Sequence, residues 1–164
     1  MMSAPGRPTA HAAYVLEIVR TLDAPARLVF EAWSSAEHAR RWWYPRENGR
    51  DYICTSFEMD FRVGGAYRYC IRSPKGVDSW AHGVYREIVP AKRLVFTFQW
   101  EWDSEALPET IITVTFDDEK NGKTRLTFRQ EPFSSESMRD GHELGWESVL
   151  DRLGESMAAK GVRA

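Results

Sequence analysis

Two histidines stand where chemistry would be possible. His82 shares strand parity with Trp80 and Val84, and His142 falls one helical turn before Trp146 in an apolar stripe. An imidazole facing a closed apolar space can serve as general acid or base, or hold the polar end of a ligand. The blander and commoner fate of such a side chain is a hydrogen-bonded core residue. His11, near the N-terminus, and His38, on a short helical stretch, are expected to be solvated. No G-x-S-x-G elbow, Gly-rich phosphate loop, H-E-x-x-H or clustered Cys/His set occurs in the sequence, so neither a metal nor another cofactor is expected. Cys54 and Cys70 lack the C-x-x-C spacing of redox and zinc motifs. They are expected to be reduced, buried and inert, a single bridge across neighbouring strands being the alternative.

The bulk of the chain narrows the partners. Its 164 residues suit one domain with one core. A net charge of -2 offers no general attraction for nucleic acid or anionic lipid, and no apolar run reaches membrane-spanning length. Residues 1–13 carry Pro5, Gly6 and Pro8 without the apolar segment of a secretory signal. The expectation is a disordered arm over 1–13 followed by a domain over 14–160, cytoplasmic, and a monomer or homodimer.

The elements that would position the histidines can be read from periodicity. Tyr14 to Thr21 alternate as a first strand that ends at Asp23-Ala24-Pro25. Asp23 is expected to cap a helix carrying Ala26, Val29, Phe30 and Trp33, and Ser34 with Glu37 has capping-box spacing for a second short helix to about Trp42. Six strands follow: Tyr52 to Asp60, Ala66 to Arg72, Trp80 to Val89, Leu94 to Trp102, Thr110 to Asp117 and Thr124 to Gln130. Gly64-Gly65, Ser73-Pro74-Lys75-Gly76, Pro90-Ala91-Lys92 and Asn121-Gly122 separate them, and turns this short force antiparallel neighbours. After Pro132, Ser134 or Ser135 can cap a helix to about Ala159. Its stripe is Met138, His142, Trp146, Val149, Leu150, Leu153 and Met157.

Strand alternation collects Tyr67, Tyr69 and Ile71 on one face, and Leu94, Phe96, Phe98, Trp100 and Trp102 in a second row. A single helix about 10 Å across cannot fill the concave side of so wide a sheet. The predicted cavity is therefore lined by Tyr67, Tyr69, Trp80, His82, Phe96, Phe98, Trp100, Met138, His142, Trp146 and Val149. The competing packing is a solid core, since seven Trp, six Tyr and eight Phe can fill an interior as readily as line it. Arg68 and Arg72 alternate with the tyrosines and are assigned to the outer face.

The order strand, two short helices, six strands, long helix resembles the START-like superfamily, also called SRPBCC or helix-grip. Within it the chain is similar to homologues of the activator of heat shock protein 90 ATPase. The resemblance runs from residue 14 to about 158. It rests on Asp23-Ala24-Pro25 with Val29-Phe30-Glu31-Ala32-Trp33, Trp42-Trp43, Phe61-Arg62-Val63-Gly64-Gly65-Ala66-Tyr67-Arg68-Tyr69 and Gly83-Val84-Tyr85. Further matches are Arg93-Leu94-Val95-Phe96-Thr97, Thr124-Arg125-Leu126-Thr127, and Gly145-Trp146 followed by Leu150-Asp151-Arg152-Leu153. These pieces have structural jobs: Gly64-Gly65 permits a tight turn, and Gly145 is expected to let the helix approach the sheet.

The resemblance implies an α+β helix-grip fold, a seven-stranded curved antiparallel sheet with two short helices and a long C-terminal helix enclosing a cavity. It does not choose among functions. A binding module for an apolar or amphipathic small molecule, such as a lipid or polyketide, leads. A protein-interaction domain regulating a chaperone of the heat shock protein 90 type comes second, and a cyclase- or hydrolase-like enzyme using a cavity histidine third.

Overall fold

The first strand, β1 (Tyr14–Leu22), pairs with the last, β9 (Lys123–Phe133), so the chain closes on its own beginning. Between them, β4 (Ile53–Met59), β5 (Ala66–Arg72), β6 (Asp78–Val89), β7 (Arg93–Trp100) and β8 (Thr110–Glu119) run as an antiparallel meander. The sheet order is β1-β9-β8-β7-β6-β5-β4. The computed structural model describes residues 14–102 and 108–163, with side chains through residue 158. The predicted arm over 1–13 lies outside the described residues.

Local chemistry explains the turns. Gly64 has φ +88°, a left-handed backbone that favours glycine, and a Cβ at Gly65 would fall 2.0 Å from the Asp60 carbonyl oxygen, leaving no room for a side chain there. Asn121 and Gly122 both take positive φ between β8 and β9. A two-stranded ribbon, β2 (Arg46–Glu47) with β3 (Arg50–Asp51), was not anticipated. Its turn is Asn48-Gly49, both at positive φ, a strong hairpin signal. The flanking residues are charged and exposed, and without alternating apolar partners they gave no strand pattern.

The helix starts differ from expectation in two places. α1 (Ala26–Trp33) has Pro25, not Asp23, at its N-cap, with no side-chain cap from that residue. Its first N–H is met from the sheet instead, Ala26 N donating to Asp118 Oδ1 at 3.0 Å. α2 (Ala36–Ala39) is capped by Ser35, whose Oγ accepts from His38 N, while Ser34 Oγ turns back to donate to Glu31 O. It ends at Ala39, short of Trp42. The long helix, α3 (Glu136–Arg163), follows the prediction at its start, with Ser135 Oγ accepting from Met138 N.

The aromatic residues do both things the sequence allowed, in adjoining regions that share Trp43. Beneath α1 and α2 they fill space: Trp33 meets Trp42 edge-on at 4.7 Å, Trp42 stacks on Trp43 at 5.3 Å, and Phe96, Phe116 and Tyr67 close around them. Toward the N-terminal half of α3 the filling stops. There Trp146 ties helix to sheet, its Nε1 donating to Gln130 Oε1 at 2.8 Å. Gln130 Nε2 donates in turn to Thr110 Oγ1 at 2.9 Å, and Thr110 donates to Phe98 O at 3.3 Å. Gln130 is fully buried, so this chain meets its polar requirements inside the core.

Candidate ligand cavity

Between the concave face of β5 and β7 and the first half of α3 lies a cavity of about 310 Å³. β5 gives it Tyr69 and Ile71, β7 gives Trp100, and Trp102 follows just beyond. Trp43 and Pro45 enter from the segment after α2, and α3 contributes Ser137, Met138, Gly141, His142, Gly145, Trp146 and Val149. These helix positions recur every three or four residues, which puts them on one face. Gly141 and Gly145 are one turn apart on that face, and a Cβ on either would meet nothing within 4 Å. Gly145 thus does not serve close helix–sheet packing, as its sequence context suggested. The two glycines leave the cavity wall low.

Six predicted residues, Tyr69, Trp100, Met138, His142, Trp146 and Val149, meet around this space. Phe98 lies beside it, in a recess of about 20 Å³ that shares Trp100, Met138 and His142. Tyr67 and Phe96 are buried in the aromatic packing below, their rings 5.5 Å apart and edge-on. The Tyr67 hydroxyl reaches across β6 to donate to Thr97 O at 2.6 Å. Gly83 makes this possible, because a Cβ there would lie 2.6 Å from the Tyr67 ring.

Trp80 and His82 point the other way, and their assignment to the cavity is corrected. The β5–β6 register sets Tyr67 opposite Gly83 and Tyr69 opposite Ala81, so these four share the inner face. Trp80 and His82 oppose Cys70 and Arg68 on the outer side. The Arg68 guanidinium sits 3.8 Å over the Trp80 ring and holds Glu101 by two bonds of 2.9 Å. His82 Nδ1 lies 2.8 Å from the same carboxylate. Arg68, then His82, hold the Glu101 carboxyl below its ordinary pKa. This is an exposed charged cluster, and His82 has no route to the interior.

His142 is on the wall with both ring nitrogens engaged. Trp100 Nε1 lies 3.0 Å from His142 Nε2, and His142 Nδ1 lies 2.8 Å from Met138 O. An indole N–H can only donate, so Nε2 must accept and the proton sits on Nδ1, which donates to the carbonyl. Burial lowers the pKa of this histidine from 6.5, and the ring is neutral near pH 7. With its one free lone pair occupied, the imidazole cannot take a proton from a substrate unless Trp100 moves.

Tyr69 differs from the other polar groups here. Its ring stacks on Phe57 at 5.1 Å and lies 5.5 Å from Trp43. Among the described residues its hydroxyl has no partner at hydrogen-bond geometry. The Trp43 indole N–H, itself buried without a partner, acts on the hydroxyl from beyond that geometry. Its pull opposes but does not match the burial that raises the phenol's pKa.

Among the described residues, no group of three or more His, Cys, Asp or Glu is placed to hold a metal ion. Both cysteines are free, and burial pushes the Cys54 thiol up to about 11, far from a reactive thiolate. No helix among the described residues is long and apolar enough to cross a membrane.

The model of the family described as Activator of Hsp90 ATPase homolog 1-like protein matches residues 23–158, a span that includes every wall of the cavity. The chain belongs to this family. Solved structures agree with the assignment. A protein from Chromobacterium violaceum is 27% identical, with a TM-score of 0.77 over 87% of this chain and 96% of that one. One from Rhizobium loti is 26% identical, with a TM-score of 0.71 over 87% and 95%. The AHSA1 protein from Silicibacter pomeroyi, 20% identical, shares the fold at a TM-score of 0.76 over 90% and 99%. No curated protein matches the chain at a significant level. The Activator of Hsp90 ATPase homolog 1-like family fold is thus the helix-grip arrangement, a ligand-binding type of domain.

The sequence missed Trp43, Pro45, Ser137, Gly141 and Gly145 as wall residues. Trp43 and Pro45 follow a helix end with no period to read, and glycines line a space by lacking the atoms that would announce it. Ile71 and Trp102 lay on the two inward rows and could have been included by parity.

Proposed function

We propose that residues 14–160 form a binding domain for a small apolar or amphipathic molecule, gripped between β5, β7 and α3. The observation that carries this reading is the cavity of about 310 Å³ walled by Trp43, Tyr69, Trp100 and Trp146. Pockets of roughly 300–1,000 Å³ with apolar walls and a few polar groups are where small ligands bind. This one is at the lower end of that range, which favours a compact ring system over a long acyl chain.

Binding is favoured over catalysis because His142 spends both nitrogens on the protein. Regulation of a chaperone draws its support from the family description alone and stays the subordinate reading. Native mass spectrometry of the freshly purified protein tests the proposal, together with a thermal-shift screen of compact aromatic compounds. A ligand at a hundredfold excess over its Kd should stabilise the fold by about 2.7 kcal/mol. No co-purified molecule and no stabilising compound across the screen would count decisively against it.

A further inference from the structure

The polar groups on the cavity wall separate into spent and unspent. The Trp100 N–H goes to His142, the Trp146 N–H to Gln130, and both His142 nitrogens are used. Ser137 and Trp102 are exposed to solvent at the mouth. Tyr69 remains: 2% exposed, on the wall, with its O–H donating to no described residue. Tyr69 is itself part of the cavity wall, so a molecule held in the cavity lies against this side chain. Burial keeps it protonated, so it is a donor. Because the Trp43 N–H addresses the hydroxyl oxygen, the O–H proton is left for something else.

Charge points the same way. Among the described residues, no Lys, Arg, Asp or Glu lines the cavity, and an ionised ligand buried there would lose its hydration without gaining a counter-ion. A buried donor left without an acceptor is itself costly, so a ligand that supplies one gains over a pure hydrocarbon.

Building on the binding function proposed above, we propose that the cavity selects an uncharged ring compound bearing a carbonyl oxygen, and that this oxygen accepts a hydrogen bond from the Tyr69 hydroxyl. Tyr69 is then the residue that sets specificity, and the aromatic wall sets shape.

Three probes of one size separate the claims: 2-acetylnaphthalene, 2-ethylnaphthalene and 2-naphthoate, titrated by quenching of the intrinsic tryptophan fluorescence. Tyr69→Phe keeps the ring stacked on Phe57 and removes only the hydroxyl, so the fold should persist. The substitution should weaken 2-acetylnaphthalene roughly three- to tenfold, the worth of one neutral hydrogen bond. The affinity for 2-ethylnaphthalene should stay within about twofold, and 2-naphthoate should bind more weakly than the ketone to the unaltered protein. Equal changes for ketone and hydrocarbon would remove Tyr69 from recognition, and naphthoate binding as tightly as the ketone would overturn the requirement for an uncharged ligand. If the hydrocarbon binds but the ketone does not, this inference falls and the binding function stands. If none of the three binds, both fall.

Discussion

The indole N–H of Trp100 donates to Nε2 of His142 across 3.0 Å, joining β7 to α3 at the cavity wall. The bond exists only while His142 is neutral. Protonation would put an N–H on Nε2, facing the indole N–H, donor against donor. The other partners of the ring are Met138 O and the tilted ring of Phe133 at 4.9 Å, and among the described residues no charged group contributes to its lowered pKa.

Stability should therefore fall with pH in a defined window. The folded pKa lies below the unfolded value of 6.5, so between the two the unfolded chain binds more protons. The contribution of His142 is complete above 6.5 and is lost as the pH drops toward the folded pKa. Melting temperatures measured from about pH 8 to pH 5 should decline on the acid side, and His142→Leu should remove part of that slope. An unchanged slope in the variant would assign the acid sensitivity elsewhere.

His142→Leu should also cost stability at neutral pH, because the Trp100 N–H loses its acceptor in a mostly buried site. The expected loss is about 1 to 3 kcal/mol by denaturant titration. The affinity for 2-acetylnaphthalene should change little, since the imidazole has no free nitrogen to offer it. Preserved stability with weakened binding would mean that His142, rather than Tyr69, meets the ligand.

Gly145 on the cavity wall and Gly83 in the packed sheet should respond in opposite ways. Gly145→Ala enters open space on a helix and should stabilise by about 0.5 to 1 kcal/mol. Gly145→Leu should leave the fold intact while shrinking the cavity, so 2-ethylnaphthalene binding weakens without a fall in Tm. Gly83→Ala would place Cβ 1.9 Å from the Thr97 carbonyl oxygen and should destabilise by at least about 1 to 3 kcal/mol. Calorimetry of the three variants, with the hydrocarbon titration on the two at Gly145, checks the pattern.

What could be read from the sequence follows from which signals are local. Strand alternation located Tyr69 and Trp100 on inward rows, and helical spacing put Met138, His142, Trp146 and Val149 on one stripe, because each pattern lies within a single element. Pairing between elements was not legible in the same way. His82 and Tyr69 each have a parity, but only the β5–β6 register, Tyr69 opposite Ala81, decides that His82 faces out. The cap of α1 shows the same limit: its acceptor, Asp118, lies on β8, distant in sequence. Whether aromatic rings fill or line a space depends on what stands across from them. Trp33 is packed by Trp42 and Trp43, while the helix wall of the cavity that Trp100 lines includes Gly141 and Gly145.

The buried relay from Trp146 through Gln130 to Thr110 should behave as one unit. Gln130 is fully buried and satisfies two partners at once, accepting from Trp146 at 2.8 Å and donating to Thr110 at 2.9 Å. Gln130→Leu leaves the indole N–H unpaired, although Thr110 keeps its bond to Phe98 O, and should cost about 1 to 3 kcal/mol. Trp146→Phe orphans the Gln130 carbonyl oxygen and thins the packing against Phe128, whose ring lies 4.6 Å away, so its cost should be at least as large. The double variant lacks both the donor and the acceptor. Once the first is gone, losing the second carries no further polar penalty, and the combined cost should fall short of the sum of the singles by about 1 kcal/mol or more. Urea unfolding of the four proteins gives the coupling energy directly. Strict additivity would mean that the two side chains act independently and that α3 is held on the sheet by apolar contact alone.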